Sequence, residues 1–433
     1  MSATASAGRP NHKDRGEFEG SAAPGTVALR PFPYPYRSAL ALSVDVDDLR
    51  SRDEFVALME YLNTSNKTRL GPGLDLEVGS SIWLYDGVGT CDFTVFRGLG
   101  PDLSEHAPTI ESFVRAGLVD TLHTYGDFSD GGFRRELADT GLRYLSERGL
   151  TFRVWVNHGG DANTQMIGPR PCERGDDPGA PEYHTDLLVA AGLRFVEKFE
   201  IVHTIGQDAP PSPRDRLTQL REIARYALAL GQPRARSILA NRLLEPCTLG
   251  DGRRVYSFKR FIGPRRGLDP AGMMELPVQI APGVLDELES KEGAAAVYTH
   301  LWRRPRGANL VPPAADEALR DLAARAHAGR IHVTTLRRLL TWSLLRRFLV
   351  WECVPADGGL EIVIRGVRDP VFGSWVPERS ELAGLTFLTG RPEATRMTLG
   401  RSDLGPLVVN PPDASGLPSV SLPLERAIFP ELH

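Results

Sequence analysis

Residues 39–48 read ALALSVDVDD, a short apolar run that ends in three carboxylates. An uninterrupted apolar run of this length is typical of a strand that is buried on both faces in a parallel sheet. In βα folds, functional side chains gather at the carboxyl ends of such strands. The stretch therefore predicts an α/β fold with a functional site that begins at Asp45.

Strand-like and helix-like segments alternate from this run to Phe348. Strands are expected at 76–84, 119–123, 152–156, 194–196, 295–299 and 331–334, and helices at 53–63, 109–116, 132–148, 184–191, 214–230, 314–328 and 335–348. Repeated βα units favour a parallel sheet covered by helices, either as a barrel or as a doubly wound sheet. Because candidate functional residues recur at several strand ends, we predict the (β/α) barrel.

Composition divides the chain into three parts. Residues 1–30 are rich in Ser, Ala, Gly and charge, which predicts a disordered lead-in. Residues 31–349 contain the βα pattern and form the predicted barrel. Residues 350–433 have short β-like runs between Gly- and Pro-rich turns and no convincing helix, which predicts a small β-rich C-terminal module.

Charge and cysteine usage exclude several classes of protein. A formal net charge of -4 argues against general binding to nucleic acid or to anionic membranes. Four cysteines without a C-x-x-C pair argue against a disulfide framework or a cysteine-rich zinc site. The first residues lack the apolar core of a signal peptide, and no apolar run reaches the roughly 20 residues of a membrane-spanning helix. We therefore expect a cytoplasmic protein with no nucleic-acid or membrane partner, of unknown oligomeric state.

The first candidate site residues are Asp45 and Asp47. Alternation along a strand directs both side chains to the same face. Two carboxylates held close together are costly unless a cation or a shared proton lies between them. One of them can bind a metal while the other serves as a general base. The alternative is that Asp47 or Asp48 caps the following helix.

A second candidate group is His123 and Asp127, in the segment LHTYGD that follows another predicted strand. Residues four apart can chelate one ion, and imidazole with carboxylate suits zinc and similar divalent ions. The alternative is a surface histidine and an aspartate that caps the helix beginning near Gly132. Together with the carboxylate strand, the segment predicts a divalent metal site, with zinc first and cobalt, nickel or manganese as alternatives.

Further polar and aromatic residues lie near predicted strand ends. Asn157 and His158, followed by two glycines, could hydrogen-bond a sugar hydroxyl or an acyl oxygen, or could form an ordinary tight turn. Trp83 could stack on a sugar ring, although core packing is the commoner role of tryptophan. The run YSFKRF at 256–261 alternates aromatic and cationic residues, as in a ligand-binding strand or an amphipathic edge strand.

The ALSVDVDD and HTYGD segments together resemble the first two motifs of the polysaccharide deacetylase superfamily, over roughly residues 38–345. That resemblance implies a distorted βα barrel, with Asp45 as general base and Asp47 and His123 as metal ligands. The family pattern His-(Ser/Thr)-x-x-His would place a histidine as the third ligand, where this chain has Asp127. The family also has an arginine that orients the base, and Arg153 is the nearest candidate, although the proline that usually follows is missing.

The implied activity is metal-dependent removal of an N-acetyl or related amide-linked acyl group from an amino sugar or a sugar-containing metabolite. His300, at the end of the strand-like run 295–299, is the candidate acid that protonates the leaving amine. The expected partner is a small-molecule or oligosaccharide substrate. Two alternatives remain open: a non-catalytic carbohydrate-binding protein on the same barrel, and a glycoside hydrolase that uses paired carboxylates.

Overall fold

The computed structural model describes residues 27–89, 91, 93–198, 200–230, 235–264, 271–356 and 358–432. The α-helices in these residues are α1 (Arg52–Asn63), α2 (Ala107–Ala116), α3 (Arg135–Glu147), α4 (Thr185–Ala190), α5 (Pro213–Leu230), α6 (Ala235–Ala240), α7 (Leu276–Gln279), α8 (Pro282–Lys291), α9 (Pro313–His327) and α10 (Leu336–Phe348). Two short 3-10 helices follow at Arg379–Leu382 and Pro392–Ala394.

The strands divide into those before and those after α10. The first group is β1 (Ala28–Leu29), β2 (Ser38–Val44), β3 (Lys67–Thr68), β4 (Gly71–Pro72), β5 (Ser80–Ile82), β6 (Val119–His123), β7 (Val154–Val156), β8 (Phe195–Glu197), β9 (Ile201–Val202), β10 (Leu244–Thr248), β11 (Arg254–Phe258), β12 (Arg260–Phe261), β13 (Ala294–Thr299) and β14 (Ile331–Val333). The second group is β15 (Leu349–Ala356), β16 (Gly359–Asp369), β17 (Gly373–Trp375), β18 (Thr386–Leu388), β19 (Thr395–Leu399), β20 (Ser402–Asp403), β21 (Val408–Asn410) and β22 (Ser419–Ser421).

Two largely parallel sheets build the first part of the chain. One has the order β14-β2-β13-β12-β9, and the other β10-β11-β8-β7-β6-β5. Every neighbouring pair in them is parallel except β10 with β11. Parallel strands joined by helices place all their carboxyl ends at one edge, and this edge holds the candidate site.

Strand β2 is buried along its whole length, as its apolar sequence predicts. Leu40 and Leu42 pack into the larger core cluster, whereas Ala39 and Ala41 pack into a second cluster on the other face. Each fully buried leucine side chain contributes roughly 1.5–3 kcal/mol of transfer free energy. The strand that bears the carboxylates is therefore held rigidly between neighbours β13 and β14.

Helix α1 begins where local sequence dictates. The Ser51 side chain accepts a hydrogen bond from the Glu54 backbone N–H at 3.3 Å, which satisfies one of the free donors of the first turn. Phe55, Leu58 and Leu62 then recur at helical spacing and are buried against the sheet. The helix thus fixes the direction in which the chain leaves the site.

Helix α10 lies across the opposite, amino end of the strands. Leu336, Leu340 and Leu344 share a core cluster with residues early in their strands, including Ala39 and Phe195. The helix also packs against the C-terminal β region. It closes one end of the structure, so that the carboxyl edge is the end available for a site.

The predicted β-rich C-terminal region is confirmed, together with the α/β class. Strands β15, β16, β19, β20 and β17 form one sheet, and β1, β18, β22 and β21 form another. All pairs are antiparallel except β16 with β19. Residues 1–26 of the predicted disordered lead-in lie outside the described residues, but 28–29 form β1 within the second of these sheets.

The closed barrel is not found in the described part of the chain. Strands β2 and β5 contact each other without sharing a ladder, and the two parallel sheets remain separate. The edge strands β5, β9 and β14 have only two or three residues each, too few for a continuous row of hydrogen bonds across the seams. None of the helices in the described ranges combines the length and the apolar character that crossing a bilayer demands.

Candidate metal centre

Five buried or nearly buried side chains meet at the carboxyl edge of the strands. They follow β2, β6, β7 and β13, and they are Asp45, Asp47, His123, His158 and His300. Asp45, Asp47, His123 and His300 are each exposed by 6% or less, and the His158 side chain by 14%. Because parallel strands end at the same level, residues far apart in sequence become neighbours here.

Asp47 lies at the centre of the first set of candidate ligands. Its Oδ2 atom lies 2.9 Å from His123 Nε2, and its Oδ1 atom lies 2.9 Å from His158 Nδ1. The two imidazole nitrogens are 3.2 Å apart. One carboxylate and two imidazoles, all presenting a ligand atom to the same point, form a donor set suited to zinc and similar divalent ions.

The hydrogen bonding of Asp47 fits a cation at this point. Its Oδ2 atom is buried, and its polar neighbours are His123 Nε2 at 2.9 Å and His300 Nε2 at 3.6 Å, neither of them in good hydrogen-bond geometry. A buried charged oxygen without a donor is costly. An ion bound between the carboxylate and the imidazoles would remove this cost, so the residues present could hold a metal ion.

A second, overlapping set consists of Asp45, Asp47 and His300. His300 Nε2 lies 3.6 Å from Asp47 Oδ2 and 3.9 Å from Asp45 Oδ2. The other ring nitrogen, Nδ1, lies 2.8 Å from the Ala271 carbonyl oxygen, to which it can only donate. This contact orients the ring so that Nε2 faces the two carboxylates.

Asp45 is held by Arg260 of β12. The Arg260 Nη1 atom donates to both carboxylate oxygens at 2.8 Å, and Nη2 lies 3.3 Å from Glu197 Oε2. The guanidinium carbon also sits 4.0 Å from the centre of the Tyr298 ring. A fully buried guanidinium between two carboxylates fixes the position of Asp45.

The charges of Asp47 and His158 depend on each other. Burial alone would raise the pKa of Asp47, but attraction to His123 and His158 holds it well below its ordinary value. Burial would lower the pKa of His158, but hydrogen bonds to Asp127 and Asp47 raise it to about 10. Without a metal ion, a proton on His158 therefore supplies the positive charge that the buried carboxylate requires.

Asp127 contacts His158 and does not reach the other ligands. Its Oδ1 atom lies 3.3 Å from His158 Nε2 and accepts a hydrogen bond from the Ser129 backbone N–H at 2.9 Å. Burial would raise the pKa of Asp127, but these contacts lower it. The structure thus brings His158, and not the expected Asp127, to the third ligand position. A carboxylate behind a ligand histidine fixes the orientation of the ring.

The backbone is strained immediately after two of the candidate ligands. Asp48 has φ 64° and Thr124 has φ 55°, which is unusual for any residue with a side chain and especially for β-branched Thr124. The Thr124 hydroxyl oxygen lies 2.6 and 2.9 Å from the His123 and Gly126 carbonyl oxygens, between which it shares its single proton. Gly126 admits no side chain, because a Cβ would lie 2.4 Å from the Tyr85 carbonyl oxygen. Strain of this kind clusters at functional sites.

The remaining predicted site residues have different placements. Trp83 stacks on His123 with ring centres 5.9 Å apart, and its buried Nε1 makes no hydrogen bond in the described structure. Asn157 is buried, accepts from Trp155 Nε1 and Ile167 N, and donates to Ile167 O, so it shapes the loop after β7.

Arg153 lies outside the cluster and forms an ion pair with Glu381 of the C-terminal β region. The arginine beside Asp45 is Arg260, which sequence reasoning placed in the aromatic and cationic run 256–261 without a role. Glu197, at the end of β8, was also missed. Its signal was a carboxylate that ends a short apolar strand, the same pattern that identified Asp45.

With this geometry established, the chain was compared with known proteins. No protein-family description, no curated protein and no solved structure matches it significantly. The class that the fold and the cluster define is therefore an α/β protein with a buried Asp/His group that could bind a metal, which makes the cluster a candidate active site.

Proposed function

We propose that the protein is a metal-dependent hydrolase that removes an N-acetyl or related acyl group from an amino sugar or a sugar-containing metabolite. The observation that supports it best is the buried Asp47 oxygen, which faces His123 and His300 without a hydrogen bond. The Asp-x-Asp strand and the His-Thr-x-x-Asp segment support it independently as a resemblance to polysaccharide deacetylases. The two adjoining parallel sheets are consistent with a distorted barrel of that type, with an open seam between β2 and β5.

The ligand set of this proposal is Asp47, His123 and His158, with zinc as the first candidate. A bound divalent ion would polarise the amide carbonyl and lower the pKa of its bound water towards about 7. Asp127 would orient His158 through the contact to its Nε2 atom. A neutral His158 is required for binding, so metal uptake would release the proton that its raised pKa retains.

Asp45 is the proposed general base. It lies next to Asp47 in the cluster, and Arg260 holds both of its oxygens in one orientation. A base fixed in this way can accept a proton from the attacking water without first reorganising. His300, with Nδ1 bound to the Ala271 carbonyl, presents Nε2 to the same space and is the proposed proton donor to the leaving nitrogen.

The substrate would approach from the carboxyl edge beside Trp83. Its indole Nε1 is the one donor of that ring, and it is not used within the described structure. A hydroxyl or an acyl oxygen of the substrate, including an oligosaccharide substrate, could accept a hydrogen bond from this Nε1 atom. The proposal thus extends to small-molecule and oligosaccharide substrates alike.

The test is metal content by mass spectrometry on protein purified without chelator or metal-affinity resin, for the wild type and Asp47→Asn. Asp48→Asn is the matched control, because Asp48 is a neighbouring carboxylate that pairs with Arg303 at the surface. We expect about one divalent ion per chain in the wild type and the control and a large loss in Asp47→Asn. Release of acetate from N-acetylated sugars should follow the same order.

Two outcomes would contradict the proposal. Wild-type protein that takes up no zinc, cobalt, nickel or manganese would favour a carbohydrate-binding protein without metal chemistry. A loaded protein that releases no acetate, yet cleaves glycosidic bonds, would favour the glycoside hydrolase alternative.

A further inference from the structure

Three arginines gather at the amino end of the strands, opposite the metal centre. Arg153 precedes β7, Arg194 precedes β8, and Arg337 lies in the first turn of α10. The Arg153 carbonyl accepts backbone hydrogen bonds from Arg194 and Phe195, which sets the first two arginines side by side. We call these three residues the arginine cluster.

The arginine cluster has few negative partners. Arg153 forms an ion pair with Glu381, whereas Arg194 lies over the Trp375 ring at 4.5 Å. The side chains of Arg194 and Arg337 form no ion pair or hydrogen bond with the described residues. Asp120 is near, but its carboxylate accepts the Arg337 backbone N–H at 2.6 Å and a hydrogen bond from Thr121. Three guanidinium groups thus share one ion-paired carboxylate.

Burial makes this arrangement unfavourable in the absence of a ligand. Burial lowers the pKa of Arg337, and repulsion from Arg153 lowers it further. Burial also lowers the pKa of Arg194, and repulsion from Arg153 is the second largest cause. A cation in the first turn of a helix is also disfavoured by the partial positive charge of the free N–H groups there. Attraction to Asp120, Glu381 and Glu378 offsets only part of this cost for Arg337, so the positive charge of the cluster is incompletely balanced.

A cavity of about 290 Å³ opens beside the cluster, between α10 and the C-terminal β region. Arg337, Arg338, Arg115 and Thr335 line it, together with Trp342 and the carboxylates Glu381 and Glu425. Of the arginine cluster, Arg337 is the member that reaches this cavity. Arg338 pairs with Glu77 and Arg115 with Glu111, so Arg337 is the lining arginine left without an ion pair in the described structure. The volume is near the lower end of the roughly 300–1,000 Å³ of small-molecule sites.

We propose that this cavity binds a small molecule through a phosphate group, which Arg337 recognises beside the other lining arginines, Arg115 and Arg338. A phosphate monoester brings about 1.5 to 2 negative charges at pH 7, enough to pair with Arg337, the lining arginine without an ion pair in the described residues. Phosphate oxygens accept paired hydrogen bonds from the planar guanidinium group. One phosphate can also pair with several guanidinium groups better than a single carboxylate can. The volume leaves room for a small organic moiety beside the phosphate.

This site is separate from the metal centre. Arg153 directly precedes β7 and His158 follows it, five residue steps further along the chain, which is about 16 Å at about 3.3 Å per step of extended chain. The cavity is lined by both α10 and the C-terminal β region, so a ligand would join the two. The proposal does not depend on the metal chemistry and remains testable if that chemistry is absent.

The test is calorimetric titration of the full chain with inorganic phosphate and with glycerol phosphate, against chloride at equal ionic strength. The variant is Arg337→Gln, and Arg365→Gln is the matched control because Arg365 forms an exposed pair with Glu352 on the C-terminal sheet. We expect binding by the wild type and the control, and at least tenfold weaker binding by Arg337→Gln. Tighter binding of glycerol phosphate would identify an organic phosphate as the ligand, and equal binding would identify phosphate itself.

A second variant and a second measurement distinguish a specific loss of phosphate binding from misfolding of the variant. Arg337→Lys retains the charge without the fork and should bind phosphate with intermediate affinity. In thermal unfolding, ligand-free Arg337→Gln should have a Tm equal to or above that of the wild type, because repulsion is removed. Phosphate binding unchanged in both variants, or no heat beyond that of chloride, would overturn the proposal.

Discussion

The two ends of the parallel strands hold buried charged groups of opposite sign. At the carboxyl end, Asp47 is buried with an oxygen that no hydrogen bond satisfies, and histidines surround it. At the amino end, the arginine cluster shares one ion-paired carboxylate, that of Glu381. By our proposals, one end binds a cation and the other binds an anion. The same strands connect the two ends. Variants at each end can therefore distinguish contacts that stabilise the fold from side chains that are proposed to bind a ligand.

The largest effect on stability is expected at the carboxyl end, from Arg260→Met. The substitution leaves the buried Asp45 carboxylate without its guanidinium, and breaking a buried pair in this way costs about 3–5 kcal/mol. The free energy of unfolding in urea measures it. Arg365→Met, in an exposed pair with Glu352, should cost less than about 1 kcal/mol. Equal costs at the two sites would show that Asp45 does not depend on Arg260.

A smaller effect is expected from acid, through His184 in the loop region that follows β7. Burial lowers the pKa of His184 to about 4, with Nε2 lying 2.7 Å from the Gln165 carbonyl oxygen. The unfolded chain, with a pKa near 6.5, takes up this proton first, so stability is complete above about pH 6.5 and falls as the pH drops towards 4. The loss should reach about 2–3 kcal/mol by pH 4.5.

Unfolding free energies between pH 7.5 and 4.5 measure this loss. His184→Gln should flatten the pH dependence, whereas His327→Gln, at an exposed histidine, should leave it unchanged. Burial also lowers the pKa of His332, to about 3, and that group contributes in the same direction, so the slopes are compared and not the absolute values. An unaltered slope in His184→Gln would contradict the assignment.

The variant Asp127→Asn tests whether Asp127 is itself a metal ligand or a residue that orients the ligand His158. If Asp127 acts through His158, metal affinity should fall by about 10- to 100-fold while about one ion per chain can still be bound. Isothermal titration with zinc measures it, with Asp161→Asn as an exposed control on the same loop. Complete loss of binding, equal to that of Asp47→Asn, would show that Asp127 is itself a ligand.

The smallest effect is expected at the amino end, from the salt dependence of Arg337→Gln. Chloride screens the repulsion among the arginine cluster in the wild type, so added salt should stabilise it relative to the variant by about 0.3–1 kcal/mol. Urea unfolding at 0.05 and 0.5 M sodium chloride measures the difference. A wild type that loses stability relative to the variant would mean that the cluster is already neutralised.

Much of the local structure follows from sequence pattern. The predicted strand at 119–123 coincides with β6, and the predicted helices at 53–63 and 335–348 lie within one residue of α1 and α10. Helix α8 and strand β10 were not predicted. Apolar periodicity is a local property, so a reading of neighbouring residues can find it.

The candidate site was found only in part. Asp45, Asp47, His123 and His300 were expected together, and the structure brings them together. Their shared signal was a polar residue directly after an apolar strand. His158 was expected to bind substrate, and the structure places it beside Asp47 and His123 in the group that could hold a metal ion. Both roles of His158 stay predictions.

By itself, the sequence determined which strands are buried and that carboxylates and histidines end them, because these properties depend on the order of neighbouring residues. Only the tertiary structure decided that His158 replaces Asp127 beside Asp47, and that Arg260 replaces Arg153 beside Asp45. It also decided that the strands form two sheets without a closed barrel. Those outcomes depend on strand order and loop paths between residues as much as 215 positions apart, which no local pattern encodes.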